Sequence, residues 1–319
     1  MQRVKGWLPA LRVVASIVML GILIPRVHVA SLLPDNREAA QWLAAAIVVW
    51  FAGVILSAVR WQRVLVALDI EVPLRRLVRH YLASLFVSNF LPSTVGGDVL
   101  RVTRLSAENG DTPRNFASVV LERLTGWIVL PVLTLTALAV NPGLRELGNA
   151  SRVAFLVAVI TLVLLGALLF AAGHPRVGGR LTSTEGWRRF TGAVHIGLEQ
   201  FRRRPGLALE VLTTSFAYQL AVMLAAFFAA DALGIGVSWT AILAFMPAVA
   251  IVQVLPITIG GLGVREGALV LFLHPLGVST QHAITLGLLV YGINLLVSLL
   301  GAPAFAVGAG NRRSTSVAA

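Results

Sequence analysis

The sequence predicts an all-α integral membrane protein. It has about six full transmembrane helices plus two re-entrant broken-helix hairpins in an inverted repeat, and counting both arms of each hairpin would raise the hydropathy tally toward eight spans. Three observations predict this. The chain is 57% hydrophobic and only 13% charged, where a soluble chain carries roughly a quarter charged residues. Its mean hydropathy is +0.84. Finally, residues 91–101 (Leu-Pro-Ser-Thr-Val-Gly-Gly-Asp-Val-Leu-Arg) return at 255–265 as Leu-Pro-Ile-Thr-Ile-Gly-Gly-Leu-Gly-Val-Arg, at an offset of 164 and without a gap.

Apolar stretches long enough to cross, about 20 residues each, lie near 11–28, 39–59, 118–140, 153–172, 207–230 and 281–302. The first is interrupted by Pro25 and Arg26. Met1 to Arg12 with Val13–Ile24 also fits the n- and h-regions of a signal peptide, but no clear small-x-small site follows, so the segment is read as a span. The repeated motif sits in two further apolar stretches, 80–100 and 239–273. Pro92 and Pro256, each followed by a glycine pair, cannot continue a helix. Each copy is therefore a break in a membrane-embedded helix, which makes each stretch a re-entrant hairpin.

Three spans separate the two motifs, so the second copy enters from the opposite side. The offset of 164 also carries 39–59 onto 203–223 and 118–140 onto 282–304. Residues 39–140 and 203–304 thus form two inverted halves of one transmembrane domain, 1–319, as in secondary transporters. Between them, 174–206 carries seven arginines and reads as a cytoplasmic linker, with an amphipathic surface helix around Trp187–Phe201. With the N-terminus cytoplasmic, 21 of the 26 basic residues fall in cytoplasmic segments and 4 outside, with Arg265 in the second motif. That is the bias of a multi-pass cell-membrane protein with both termini cytoplasmic. The net charge of +12, almost all arginine, suits this orientation and anionic lipid better than nucleic acid.

The breaks carry the chemistry. Helices restarting at Gly97 and Gly261, just after Gly96 and Gly260, would present free backbone N–H groups and a positive dipole end to an anion. Thr94 and Thr258 add hydroxyls, and Arg101 and Arg265 lie one turn into each new helix, from which a planar guanidinium fork can reach phosphate. Asp98, Glu122, Arg123 and Glu266 stand close by. An intramembrane charge costs about 2.5–3.5 kcal/mol, so such groups are paired or functional. Asp98 could simply cap its helix, and Glu122 and Arg123 could lie at the cytoplasmic interface with their heads in water. Formally the three acids balance Arg101, Arg123 and Arg265.

Other chemistries find no support. Gly260-Gly261-Leu262-Gly263 is no dinucleotide fingerprint, because Glu266 stands where the third glycine belongs. The six histidines have no metal-ligand spacing, and the absence of cysteine removes disulfides and thiolate sites. No catalytic constellation stands out, so neither a metal nor a cofactor is expected.

The segments Asn89-Phe90-Leu91-Pro92…Gly96-Gly97-Asp98…Arg101, Glu122-Arg123-Leu124-Thr125-Gly126 and Pro256…Gly260-Gly261-Leu262-Gly263-Val264-Arg265-Glu266-Gly267 resemble the transmembrane region of lysylphosphatidylglycerol synthase/flippases and related flippase-like membrane proteins, over roughly 10–305. The resemblance implies a domain that moves a lipid between leaflets, but names no lipid. The synthase members also carry a soluble aminoacyl-transfer domain after this region; the sequence runs only to Ala319, so lipid aminoacylation is not expected. The leading expectation is a non-enzymatic flippase-like protein that translocates or binds an anionic lipid, either a phospholipid or a polyprenyl-phosphate-linked one. Its partners would be membrane lipids, with homo-oligomerisation left open. The alternatives are a membrane enzyme or accessory in polyprenyl-linked sugar transfer, for which Asp98 is the candidate, and a structural membrane subunit.

Overall fold

The computed structural model describes residues 36–90, 96–174, 186–254 and 261–310. The expected first span, both termini, and the motif residues Pro92, Thr94, Pro256, Thr258 and Gly260 lie outside the described residues. Among the described residues all regular structure is helical. The helices are α1 (Arg37–Ala67), α2 (Leu74–Phe90), α3 (Gly96–Asn109), α4 (Thr112–Val140), α5 (Asn149–Gly173), α6 (Gly186–Arg203), α7 (Pro205–Ala232), α8 (Trp239–Val252), α9 (Val264–Leu273), α10 (Thr280–Leu299) and α11 (Ala302–Gly310). Five of these, α1, α4, α5, α7 and α10, are long and apolar enough to cross a membrane.

Side-chain caps fix several starts, as Ser/Asn/Asp residues do by accepting from an otherwise unpaired first-turn N–H. Asn36 accepts from the Ala39 N–H at 2.8 Å, Asp111 from Arg114 at 3.0 Å, Ser238 from Ala241 at 3.2 Å and Ser279 from His282 at 3.2 Å. The largest difference from the sequence reading is α1. It was expected to stop before Arg60, yet the helix runs on to Ala67, because Trp61, Val64 and Leu65 continue a buried apolar face past the arginine.

Each motif flank folds back on itself. α2 and α3 are antiparallel: Glu108 near the end of α3 binds Arg76 (3.3 Å) and His80 (3.0 Å) near the start of α2. At the other end Gly97 lies so close that a Cβ there would fall 2.1 Å from Ser88 Oγ and 2.4 Å from the Ser84 carbonyl. In α8 and α9 the Phe245 and Phe272 rings stack at 5.4 Å, and Gly261 abuts Gln253. The first hairpin opens beside the start of α4. The second opens beside its end, where Asn141 Nδ2 donates to Thr240 Oγ1 at 2.9 Å. The two hairpins thus enter the bundle from opposite ends. The long pair α1 and α7 is also antiparallel, held by Arg204–Asp69 (2.7 Å) at one end and by Trp42 against Phe228 (5.3 Å) at the other.

Two expectations need correction. The second helix restarts at Val264 rather than Gly261, since Gly261 (φ 73) and Gly263 (φ 85) adopt left-handed backbone that an α-helix does not admit. The amphipathic helix α6 packs its apolar face on α4 and α5, with Ala193 and Val194 buried and Gly197 seated against the Leu121 side chain. Protein, not the bilayer surface, covers that face.

Candidate functional site

The charged residues singled out in the first motif gather on α3 and α4, and α1 supplies a further one. Arg101 is 2% exposed; it donates to Asp98 Oδ1 (2.6 Å) and Glu122 Oε2 (3.0 Å), and its guanidinium lies between the rings of Trp61 (4.9 Å) and Tyr81 (4.8 Å). Arg123, 43% exposed, pairs with the other Asp98 oxygen. Glu122 is 1% exposed and also pairs with Arg60, itself 4% exposed. Ser57 Oγ lies 3.1 Å from Glu122 Oε1 and 2.8 Å from the Tyr81 hydroxyl. Neither Glu122 nor Arg60 therefore has its head in water, because both sit well inside long helices at membrane depth.

The second motif forms a smaller centre. Arg265 donates to Glu266 Oε1 (3.0 and 2.7 Å) and lies over the Tyr291 ring at 5.1 Å. Glu266 Oε2 accepts the Gly263 N–H at 2.6 Å. That backbone donor, expected to face an anion, is occupied by its own helix's third residue. Arg265 is the second residue of α9 whereas Arg101 is the sixth of α3, so the two matched arginines stand at different heights above their helix starts.

A cavity of about 350 Å³ lies between the hairpin ends. Ser88 and Asn89 of α2 and Gln253 and Val254 of α8 bring the two hairpins to it, and Asn294 Nδ2 of α10 donates to Asn89 Oδ1 at 3.1 Å. Its charged lining is Arg60, Glu122, Arg123 and Arg265. Arg101, Asp98 and Glu266 stand behind this lining, holding it in place. The rest of the wall is apolar or aromatic, with Trp50, Leu130, Met246 and Val290 among its residues. Trp50 lies about 15 Å along α1 from Arg60, so the cavity has a basic end and an apolar end.

Arg60 is the residue the sequence reading missed as a site residue, having counted it as a cytoplasmic flank. Its Nε and Nη1 are buried without hydrogen-bond partners, and Tyr218 lies under the guanidinium at 4.7 Å. The signal lay in the apolar run that continues past it, Trp61 to Ala67. Gly126, noticed only as part of a motif, gives Arg60 its room: a Cβ there would lie 2.6 Å from Arg60 Nη1. With Arg60 included, four arginines (Arg60, Arg101, Arg123, Arg265) face three acids (Asp98, Glu122, Glu266) in these two centres. The expected balance becomes an excess of one positive charge.

The family profile described as "Lysylphosphatidylglycerol synthase TM region" matches residues 10–301. The chain belongs to that family. The profile spans both hairpins and both ionic centres, so the site is built from family sequence throughout. The chain is also 26% identical over 136 residues to the UPF0104 membrane protein PH1989 of Pyrococcus horikoshii. That match covers 42% of this chain and 39% of the relative, so the chain aligns with well under half of the curated relative's length.

Proposed function

We propose that this membrane protein binds the anionic head group of a lipid in the cavity between the hairpins and passes it between leaflets. The observation that carries the reading is Arg60, a buried cavity-lining arginine with two unpartnered N–H positions in a site of net positive charge. Unpaired donors at membrane depth are costly, and a phosphate oxygen satisfies them with charge-assisted bonds. The apolar end supports a lipid rather than a free anion. A cavity of 300 to 1,000 Å³ is the usual size for a small-molecule site, which suits a head group with its chains left outside.

We further infer an inverted duplication as the device for alternating access. The 164-residue offset carries α1, α2, α3 and α4 in order onto α7, α8, α9 and α10, and the hairpins open at opposite ends of α4. Inverted repeats that meet at a central site can rock about it. The sugar-transfer reading has less support, since both Asp98 oxygens are held by arginines and neither is left to act as base or metal ligand.

The test is lipid retention by the purified chain, read by native mass spectrometry. Arg60→Gln and Arg60→Lys should both lower anionic lipid per protein at least severalfold, since lysine keeps the charge but not the fork. Retention equal to the parent in both folded variants would end the proposal.

A further inference from the structure

Resting on that reading, the chemistry of the remaining cavity wall narrows the head group. We infer that the lipid carries an uncharged, polyhydroxylated head group, a sugar or polyol joined through a phosphodiester, and not an amine-bearing one.

The first strand of the argument is what an ammonium would lack. Glu122 is the one carboxylate among the described residues lining the cavity, and both its oxygens are taken, Oε1 by Arg60 and Oε2 by Arg101. Glu266 behind the wall is likewise held at both oxygens, by Arg265 and the Gly263 N–H. A cationic head group would therefore meet arginines with no free acid to offset them. Like charges in a low-dielectric site repel strongly.

The second strand is what a hydroxylated group would find. Asn89, Asn294, Gln253 and Gln219 line the cavity, and a carboxamide both donates and accepts, as an alcohol requires. Asn89 Nδ2 is buried with no partner although its Oδ1 is bonded to Asn294, so one donor at the hairpin end remains open. Gln219 is anchored by its Nε2 to the Gly126 carbonyl at 3.1 Å, beside Arg60. Tyr218 and Tyr291 already lie under arginines. Trp50 and Trp127 are left as flat apolar faces in the wall, suited to the C–H face of a ring. Phosphate at the arginines with hydroxyls at the amides uses both sets of donors at once.

The experiment offers the delipidated, detergent-solubilised full chain an equimolar mixture of phosphatidylinositol, phosphatidylglycerol, phosphatidic acid and phosphatidylethanolamine with identical acyl chains. Bound species are counted by native mass spectrometry. Phosphatidylinositol or phosphatidylglycerol should exceed phosphatidic acid and phosphatidylethanolamine roughly tenfold, the worth of one or two net hydrogen bonds. Whichever of the two leads tells a ring polyol from a short one. Asn294→Leu should bring the leading lipid down to the level of phosphatidic acid, and Gln253→Leu provides the same reading at the other hairpin. Phosphatidic acid bound as well as the polyol lipids would overturn the inference while leaving the anionic site intact, and so would equal binding of phosphatidylethanolamine. If all three anionic lipids fail to bind, the underlying reading falls with it.

Discussion

Arg60 of α1 and Glu122 of α4 form a buried ion pair across 62 residues of sequence, and Glu122 uses its second oxygen on Arg101 of α3. One carboxylate thereby ties a spanning helix to a hairpin arm through two arginines. Removing one partner of a buried pair leaves the other charge uncompensated, typically at about 3–5 kcal/mol.

Glu122→Gln should therefore be the most damaging single charge change, because it strands two arginines. Thermal unfolding in detergent should give a clearly lower midpoint for Glu122→Gln than for Arg60→Gln, which leaves Glu122 its contact with Arg101. Adding Arg60→Gln to Glu122→Gln should recover part of the loss. A double variant less stable than either single would mean that the pair is not the source of the effect.

Gly126→Ala should reproduce part of the Arg60 phenotype without touching a charge. The new methyl would lie 2.6 Å from Arg60 Nη1 and 3.5 Å from Gln219 Nε2, so the guanidinium must move from its seat beside the cavity. The expected outcome is lower co-purified anionic lipid, read against Gly206→Ala, where nothing lies within 4 Å of the new atom. Equal retention in the two variants would show that the glycine is not there for the arginine.

Orientation is open to direct labelling, because the chain has no native cysteine and each introduced thiol is unique. Thr112, Ala107, Asn149 and Ser238 are all exposed. Cysteines at Thr112 and Ala107, at the mouth of the first hairpin, should react from the cytoplasm. Those at Asn149 and Ser238, beside the mouth of the second, should react from outside. Labelling of Ala107→Cys and Ser238→Cys from one side would contradict hairpins that enter from opposite faces.

Much of the architecture was legible in the sequence, because bilayer thickness turns hydropathy into element length and Pro-Gly pairs mark breaks. The residues near 80–100 and 239–273 fold back as expected, with Ser88 against Gly97 and Phe245 against Phe272. What stayed hidden was long-range pairing. Arg60 looked like the flank of a span because the partner that lets it sink into the membrane is 62 residues away. Gly263 fixed the second restart through a backbone angle that hydropathy does not carry. The repeat suggested that Arg101 and Arg265 are equivalent, yet Arg101 stands behind the cavity between two rings whereas Arg265 lines it.

The central claim is that an anionic lipid crosses between leaflets by way of the Arg60 cavity, and leaflet exchange in metal-free vesicles tests it most directly. Purified chain would be reconstituted with a trace of phosphatidylglycerol bearing a fluorophore on one acyl chain, and dithionite would report the fraction exposed outside over time. Parent protein should let nearly all of the probe become accessible, while folded Arg60→Gln should lower the exchange rate at least severalfold toward that of protein-free vesicles. Exchange by the Arg60→Gln protein at the parent rate, or no exchange by the parent, would contradict the account.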